Sequence, residues 1–287
     1  MFTHTPVLPN EIVKSFSALP KGALIVDGTL GKGGHSKLLL EHEFKIIGID
    51  RDEEALEEAK KQLAGENIEF VHGNFSDIKK ILAGRKAYGI LLDLGVSTHQ
   101  LEKEGRGFGF KGKLDMRMNQ KDELTAEKIV NEYAHEKLAE LLQEYGEKVY
   151  TKEITEKICE ARKNGRIETG EQLVKIIETA LPEQYRKTRK HHWATPTFRA
   201  LRIAVNDDFG HLKKFLNTFT DCLNKGGVLS IITFHTMEER VVKQKLRELK
   251  ERKVMKLITK KPATATKQEI SSNKKSARAK LWTAEMR

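Results

Sequence analysis

Short apolar runs alternate with amphipathic runs along the first third of the chain, and this alternation constrains the fold most. The runs with strand-like length and composition are 23–27, 45–50, 68–73 and 87–93. The segments with helical periodicity between them are 36–42, 53–64 and 76–83. Strands that return about every 20 residues through helices indicate βαβ units and a parallel sheet. The nearly continuous apolar character of KIIGID and YGILLDLG is typical of strands buried on both faces. The sequence therefore predicts an α/β fold.

The periodicity changes after residue 101. A loop rich in glycine and charge leads into four helical stripes between 125 and 181, the last of them ended by Pro182. A long helical region over 198–223, the strand-like LNKGGVLSIITF and two β-prone pieces, MKLIT and AKLWTAEM, then restore the α/β pattern. We predict a discontinuous core formed by 1–104 and 196–287. A loop and an all-helical, substrate-recognising domain at 105–195 are inserted into it.

Positive charge is concentrated near the C-terminus. The chain has a net charge of +11, and the segment from Arg240 to Arg287 carries sixteen Lys and Arg against four Asp and Glu. The rest of the chain is therefore close to neutral. A local excess of one sign favours a polyanionic partner, because neutralised phosphates release counterions. Nucleic acid is the partner that the charge favours, while an acidic protein surface, a membrane or a solvated helix face stays open.

Targeting signals and metal motifs are not evident in the sequence. No apolar run approaches the ~20 residues that a membrane-spanning helix needs, and MFTHTPVLPNEIV lacks the pattern of a signal peptide. The two cysteines, Cys159 and Cys222, lie far apart and outside any CxxC motif. We therefore expect a cytoplasmic protein without a disulfide, a bound metal or a membrane partner. The oligomeric state is left open between a monomer and a homodimer.

A glycine-rich turn follows the first predicted strand, in the segment ALIVDGTLGKGGHS. Its glycines permit a tight turn and a close approach of the backbone to a ligand. Asp50 ends the next strand, 19 residues after Gly31, at about the offset from which a carboxylate contacts ribose hydroxyls. This pattern suits several nucleotide cofactors, and a purely structural turn is the alternative.

The residues around the turn distinguish between the cofactors. Asp27 lies directly before the glycines, where its carboxylate would repel a dinucleotide pyrophosphate. S-adenosylmethionine has no phosphate, and its ammonium and sulfonium groups would be attracted. Ser36 also occupies the place of the third glycine in the GxGxxG spacing typical of NAD sites. The turn therefore favours S-adenosylmethionine over NAD, with a nicotinamide-dependent oxidoreductase as a weaker alternative.

A third carboxylate, Asp93, ends the fourth predicted strand. Ligands of open α/β sheets bind outside the carboxyl ends of the strands, so Asp27, Asp50 and Asp93 are expected to line one edge of the sheet. Three carboxylates also suit a divalent metal. The cationic cofactor explains them more economically, because nothing else in the chain has the spacing of metal ligands.

Sequence motifs along nearly the whole chain resemble the RsmH (MraW) family, bacterial methyltransferases of a small-subunit rRNA cytidine. The matching segments are HTPVLPNEIV (4–13), VDGTLGKGGHS (26–36), GIDRD (48–52), HGNF (72–75), ILLDLGVSTHQL (90–101), RGFGF (106–110), LDMRM (114–118), YGEK (145–148), TFRALRIAVN (197–206) and TFHTMEERVVK (233–243). LDLGVS, RGFGF and LDMRM in this order are highly specific. The resemblance implies a class I, Rossmann-like S-adenosylmethionine methyltransferase core with an inserted helical domain.

The resemblance also implies the activity and the site. It implies methylation of the exocyclic N4 of a decoding-centre cytidine in 16S rRNA, with the small ribosomal subunit as partner. The implied cofactor contacts are Gly33, Gly34, His35, Asp50, Phe75, Asp93 and Gln100, with Asp27 as a secondary neighbour. Three motifs depart from the family pattern, at HWATPTFRALRI, TFHTMEER and NKKSARAKLW. Trp193 in the first of them stands where the family has proline. These changes lie on the expected RNA side of the site.

Two residues are candidates for a catalytic role. Asp93 is the expected acceptor for an N4 hydrogen, because the amine is a poor nucleophile that gains from an acceptor during attack. His235 follows the last apolar strand and is the second candidate, although a hydrogen-bonded structural role is the commoner fate of such a histidine. Arg106, Phe108 and Phe110 are interpreted either as a lid over a flipped base or as anchors of a glycine loop. A catalytically silent RNA-binding or ribosome-assembly factor remains the alternative function.

Overall fold

The computed structural model describes residues 6–96, 100, 103–146 and 148–287. Parts of the motifs named above lie outside the described residues, at 4–5, 97–99, 101 and 147. The chain forms two compact units, one from the described residues of 1–95 and 209–287 and the other from those of 96–208. No helix in the described part of the chain is long and apolar enough to cross a membrane.

Strands and helices alternate in the first third, as the sequence predicts. The strands are β1 (Leu24–Asp27), β2 (Lys45–Asp50), β3 (Ile68–His72), β4 (Ala87–Asp93), β5 (Leu223–Thr233), β6 (Met255–Leu257), β7 (Ala263–Thr264) and β8 (Lys280–Met286). The helices are α1 (Pro9–Phe16), α2 (Gly34–Glu41), α3 (Glu53–Gln62), α4 (Ile78–Leu82), α5 (Ala126–Glu132), α6 (His135–Tyr145), α7 (Thr151–Ala161), α8 (Gly170–Ala180), α9 (Glu183–Thr188), α10 (Thr195–Asn206), α11 (Asp208–Thr218), α12 (Thr236–Glu251) and α13 (Lys267–Ser272).

One sheet organises the first unit. Its strand order is β3-β2-β1-β4-β5-β8-β6, with β7 paired to β8. Strands β1 to β5 are parallel, whereas β8 runs antiparallel to β5 and β6. The chain order reverses between β1 and β4, and the crevice at such a reversal is where ligands of doubly wound sheets bind. The predicted α/β fold with its parallel sheet is confirmed.

The strands are buried because helices cover both faces of the sheet. The inner residues of β4 and most of β5 are inaccessible to solvent, in agreement with their continuous apolar sequence. The two β-prone pieces of the tail become β6 and β8. Strand β8 lies between β5 and β6, an arrangement that the local sequence did not indicate.

The second unit is helical and has its own apolar core. The predicted stripes correspond to α5, α6, α7 and α8, whose inward residues include Ile129, Leu138, Ile154 and Leu173. Side-chain caps fix two of the helix starts. Thr125 Oγ1 accepts the N–H of Lys128 at 3.1 Å, and Thr169 forms a reciprocal capping box that begins α8.

Two features of this region differ from the sequence prediction. The long helical region is broken into α10 and α11 at Asp207, which adopts a left-handed conformation with φ of 44°. The units divide at Gly95 and Asp208, whereas the predicted domain ends lie at 104 and 196. The second boundary lies at Asp208 rather than at 196 because helix α10 packs on α5 and α6 and so belongs to the helical unit. The substrate-recognition role assigned to the helical unit stays a proposal.

The RGFGF segment is anchored within the helical unit. The Arg106 side chain is 1% exposed and donates hydrogen bonds to the carbonyl groups of Arg117 and Met118, each at 3.0 Å. Phe108 belongs to the same apolar core. Of the two interpretations offered for this loop, the geometry of Arg106 and Phe108 favours the anchor over the lid.

Gly107 is the residue on which this anchored turn depends. Its φ is +71°, and an added Cβ would lie 2.2 Å from the Lys113 carbonyl oxygen and 2.5 Å from the Asp115 nitrogen. We therefore expect Gly107→Ala to destabilise the protein by about 3 kcal/mol or more, because rigid backbone has to move. Urea unfolding followed by circular dichroism measures the change. Gly105→Ala is the matched control, since a Cβ there meets nothing within 4 Å; equal losses for both variants would contradict the prediction.

Candidate active site

Three carboxylates end neighbouring strands at the same edge of the sheet. Asp27 ends β1, Asp50 ends β2 and Asp93 ends β4. Strand β1 lies between the other two, with Asp27 in register with Gly48 and Leu91. The parallel direction of the strands places all three carboxyl ends together, as the sequence predicted.

The glycine turn between β1 and α2 permits a close packing of backbone at this edge. A Cβ at Gly28 would lie 2.5 Å from the Leu92 side chain and 2.9 Å from Cβ of Phe75. Gly33 has a φ of +84° and precedes the first residue of α2, Gly34. The N–H groups at the start of a helix have no partner within the helix. The start of α2 thus offers backbone donors in the turn that follows β1.

Asp50 is tied to the turn by its own hydrogen bonds. Its Oδ2 accepts the N–H of Gly31 at 2.7 Å, and its Oδ1 accepts the N–H of Asp52 at 2.8 Å. Burial raises the pKa of the Asp50 carboxyl to about 6, against the effect of these two hydrogen bonds. Each oxygen keeps a second lone pair, so the carboxylate can still accept hydrogen bonds from a ligand.

Asp27 is the most deeply buried of the three carboxylates. It is 1% exposed; Ser36 Oγ donates to its Oδ2 at 2.7 Å and the N–H of Thr29 donates to its Oδ1 at 3.2 Å. Burial raises the pKa of the Asp27 carboxyl, while His35 and the Ser36 hydrogen bond oppose the rise. The sequence identified Asp27 but gave Ser36 only a spacing role, and its partnership with Asp27 emerged from the structure.

His35 and Asp93 face one another across the turn. His35 Nε2 lies 3.5 Å from Asp93 Oδ2, and the N–H of Asp93 donates to Thr29 Oγ1 at 2.6 Å. Among the described residues, neither ring nitrogen of His35 nor Oδ1 of Asp93 has a hydrogen-bond partner, although all three atoms are buried. Buried polar atoms without partners are costly, so these atoms indicate a place for a polar ligand. Thr29 was not singled out by the sequence, although it lies within the VDGTLGKGGHS motif.

Phe75 lies beside the glycine turn, as its approach to Gly28 shows. The ring packs edge-on against Phe215, with centroids 5.7 Å apart, and is only partly buried. The next residue, Ser76, is buried, and its Oγ lies 3.1 Å from Nδ1 of His211. These contacts fix the short turn after β3 and leave part of the Phe75 ring open.

Gln100 is the one predicted cofactor contact in the second unit. Its side chain is buried, and its neighbours at 97–99 and 101–102 lie outside the described residues. Its proposed contact with the cofactor stays a prediction.

His235 lies at the same edge of the sheet, because Asp93 pairs in register with Ile232 of β5. It begins α12 as a helix cap. Its Nδ1 accepts the N–H of Glu238 at 3.3 Å, and Glu238 accepts the N–H groups of Phe234 and His235. His235 Nε2 lies 2.7 Å from Glu238 Oε1 without the alignment of a hydrogen bond. The geometry gives His235 a structural role, and its catalytic role stays a prediction.

No metal site is evident at this edge. In the part of the chain that the structure describes, no group of three or more His, Cys, Asp or Glu side chains is placed to hold a metal ion. The carboxylates of Asp27 and Asp50 instead accept hydrogen bonds from backbone N–H groups and the Ser36 hydroxyl.

Comparison with known proteins places this chain in a family. The model of the MraW methylase family matches residues 1–287. The chain belongs to the MraW methylase family.

A protein of Persephonella marina named ribosomal RNA small subunit methyltransferase H is 42% identical over 293 residues, which cover 99% of each chain. A protein of the same name from Trichodesmium erythraeum is 41% identical over 288 residues, 98% of each chain. A solved structure of an rRNA methylase from Streptococcus thermophilus aligns over 100% of this chain and 98% of its own at 12% identity, with a TM-score of 0.47.

The methyl donor of this methylase family member is S-adenosylmethionine, as the glycine turn predicted. The residues at the edge of the sheet fit this molecule. Buried, unpartnered atoms of His35 and Asp93 face the turn, and the carboxylates of Asp27 and Asp50 give the edge the negative charge that a sulfonium and an ammonium require. A dinucleotide would instead place its phosphates beside Asp27.

Proposed function

We propose that this chain methylates the exocyclic N4 of a decoding-centre cytidine in small-subunit (16S) rRNA. The observation that carries the proposal is the cluster of Asp27, His35 and Asp93 beside the glycine turn, in a chain of the MraW methylase family. The names of the relatives, ribosomal RNA small subunit methyltransferase H, support the coarser assignment to small-subunit rRNA. The choice of the cytidine N4 rests on the sequence motifs and on the acceptor chemistry of Asp93.

The proposed cofactor contacts follow the geometry of the turn. Asp50, oriented by the N–H of Gly31, accepts hydrogen bonds from the ribose hydroxyls. The backbone of Gly33 and Gly34 approaches the methionine portion, because a glycine turn presents N–H groups without side chains. The open part of the Phe75 ring packs beside the adenine.

The remaining contacts complete the proposed pocket. His35 offers two ring nitrogens without partners among the described residues. Asp27 is a secondary neighbour of the cofactor, because both its oxygens already accept hydrogen bonds from the protein. A cofactor contact by Gln100 is implied by the family resemblance alone.

Asp93 is the residue that assists methyl transfer in this proposal. S-adenosylmethionine supplies an electrophilic methyl group when it is bound. The methyl carbon–sulfur bond of the donor would break as the N4–carbon bond forms, leaving a neutral thioether. The amine loses one proton in this step, and Oδ1 of Asp93, which has no partner in the described residues, accepts that proton. Holding the amine in line needs no strong base, because orientation removes much of the barrier.

The basic C-terminal segment supplies positive charge for the rRNA backbone. The exposed cations of this segment are Arg240, Arg247, Lys250, Arg252, Lys253, Lys256, Lys260, Lys261, Lys267, Lys274, Lys275, Arg278 and Arg287. Contacts with phosphates provide affinity that is independent of sequence and sensitive to salt. They suit a substrate as highly charged as the small ribosomal subunit.

The test is incubation of the full-length protein with small ribosomal subunits and S-adenosylmethionine labelled in the methyl group. Mass spectrometry of the rRNA nucleosides is expected to show labelled N4-methylcytidine. A label on another nucleoside would reject the cytidine N4 while leaving the methyl donor in place. Absence of any label, with S-adenosylmethionine binding retained in calorimetry, would favour the catalytically silent RNA-binding factor.

A further inference from the structure

Three aromatic rings of the helical unit form a continuous stack, which we call the ring stack (Phe110, His192 and Trp193). The Phe110 and His192 rings have centroids 4.2 Å apart and are inclined by 29°. The His192 and Trp193 rings have centroids 4.6 Å apart and are inclined by 30°. Phe198, a core residue, packs edge-on against Phe110 at 4.9 Å. The stack is thus anchored in the core at one end.

The ring stack reaches the surface of the unit. His192 is exposed, whereas Phe110 and Trp193 are half-buried. The N–H of Ala194 donates to Nδ1 of His192 at 3.3 Å, which holds the imidazole ring in place. Aromatic rings that are ordered and open to solvent are suited to stacking, because every nucleic acid base offers a π-face.

The segment that carries His192 and Trp193 is rich in cations. Residues 182–193 contain four Lys and Arg against one acid. The guanidinium of Arg186 lies 5.9 Å from the centre of the Trp193 ring and is paired with Glu178, so it supports the ring. Lys190 is exposed and has no ion-pair partner among the described residues, so its charge is open to a phosphate. Flat rings beside cations are the combination that single-stranded RNA requires.

We propose that the ring stack binds an unpaired base of the RNA substrate, with Lys190 contacting an adjacent phosphate. The proposal deepens the proposed function and rests on it, because RNA is taken as the substrate class. A duplex presents no open base face, so the surface is specific for a single-stranded segment.

The experiment measures the fluorescence anisotropy of a fluorescein-labelled single-stranded oligocytidylate titrated with the full-length protein. Trp193→Ala is expected to weaken binding roughly tenfold, as the loss of one base-stacking ring does. His192→Ala is expected to weaken binding as well, because the His192 ring lies between Phe110 and Trp193 and supports the outer ring. Trp193→Phe keeps a ring and is expected to retain most of the affinity. Lys190→Ala is expected to reduce the slope of log affinity against log salt by about 0.7, whereas Trp193→Ala leaves the slope unchanged.

Tyr88→Ala is the matched control, because Tyr88 is an aromatic residue of the first unit with 39% exposure and is expected to have no effect. Calorimetric affinity for S-adenosylmethionine and the circular dichroism spectrum establish that each variant is folded. If Trp193→Ala does not fold, His192→Ala still tests the proposal, because His192 is exposed. Wild-type affinity in both His192→Ala and Trp193→Ala overturns the proposal, as does equally tight binding of an RNA duplex. Methylation of small subunits by the wild type, measured in parallel, tests the proposed function separately.

Discussion

Asp50→Ala is expected to weaken the binding of S-adenosylmethionine by about a hundredfold or more. The proposed contact consists of two hydrogen bonds from ribose hydroxyls to an ionised acceptor, and such bonds contribute about 1.5–3 kcal/mol each. The substitution also removes the acceptor for the N–H of Gly31, which loosens the glycine turn. Isothermal titration calorimetry with the full-length protein measures the loss.

Glu57→Ala is the control for this measurement, since Glu57 is an exposed acid of the same unit that pairs with Lys60. It is expected to bind the cofactor as the wild type does. Full affinity in Asp50→Ala would show that the ribose is held elsewhere and that the proposed site is misplaced.

The pH dependence of binding is a second measurement on Asp50. Burial raises the pKa of its carboxyl to about 6 in the cofactor-free protein, and the ionised form is the stronger acceptor. Affinity is therefore expected to fall as the pH is lowered from 7 through 6 to 5. Asp50→Ala should remove most of this decrease. A wild-type affinity that is constant over this range would contradict the assignment.

Asp93→Asn is expected to lower kcat by roughly a hundredfold, the lower end of what a positioned acceptor contributes. The amide has nearly the same shape, but it loses the charge and places a donor where an N4 hydrogen requires an acceptor. Single-turnover methylation of small subunits, with saturating S-adenosylmethionine, measures the rate. An unchanged rate with weakened cofactor binding would mean that Asp93 serves the cofactor alone.

His235→Ala and Asp77→Asn are the controls for Asp93. His235 caps α12, and loss of a cap typically costs about 1 kcal/mol of stability, so its removal is expected to lower the unfolding midpoint more than kcat. Asp77 pairs with Lys214 at the surface and should have no effect on either. A rate loss in His235→Ala as large as that in Asp93→Asn would support the catalytic role predicted for His235.

The local sequence predicted most of the α/β pattern because strand and helix periodicities are local properties. The strands β1 to β4 and the helices α5 to α8 lie where their apolar patterns place them. The pattern failed at Asp207, where a backbone conformation with positive φ divides one predicted helical region into α10 and α11. Aspartate is among the residues that adopt this conformation most readily, but the surrounding apolar spacing continues across it and hides the break.

The sequence by itself determined which carboxylates share an edge. Asp27, Asp50 and Asp93 each end a predicted parallel strand, and parallel strands have their carboxyl ends on one side. Only the tertiary structure decided the contacts of those side chains. The approach of His35 to Asp93, the bond between Thr29 and Asp93 and the insertion of β8 beside β5 join segments far apart in the chain. Such contacts depend on the packing of whole elements, so no local pattern encodes them.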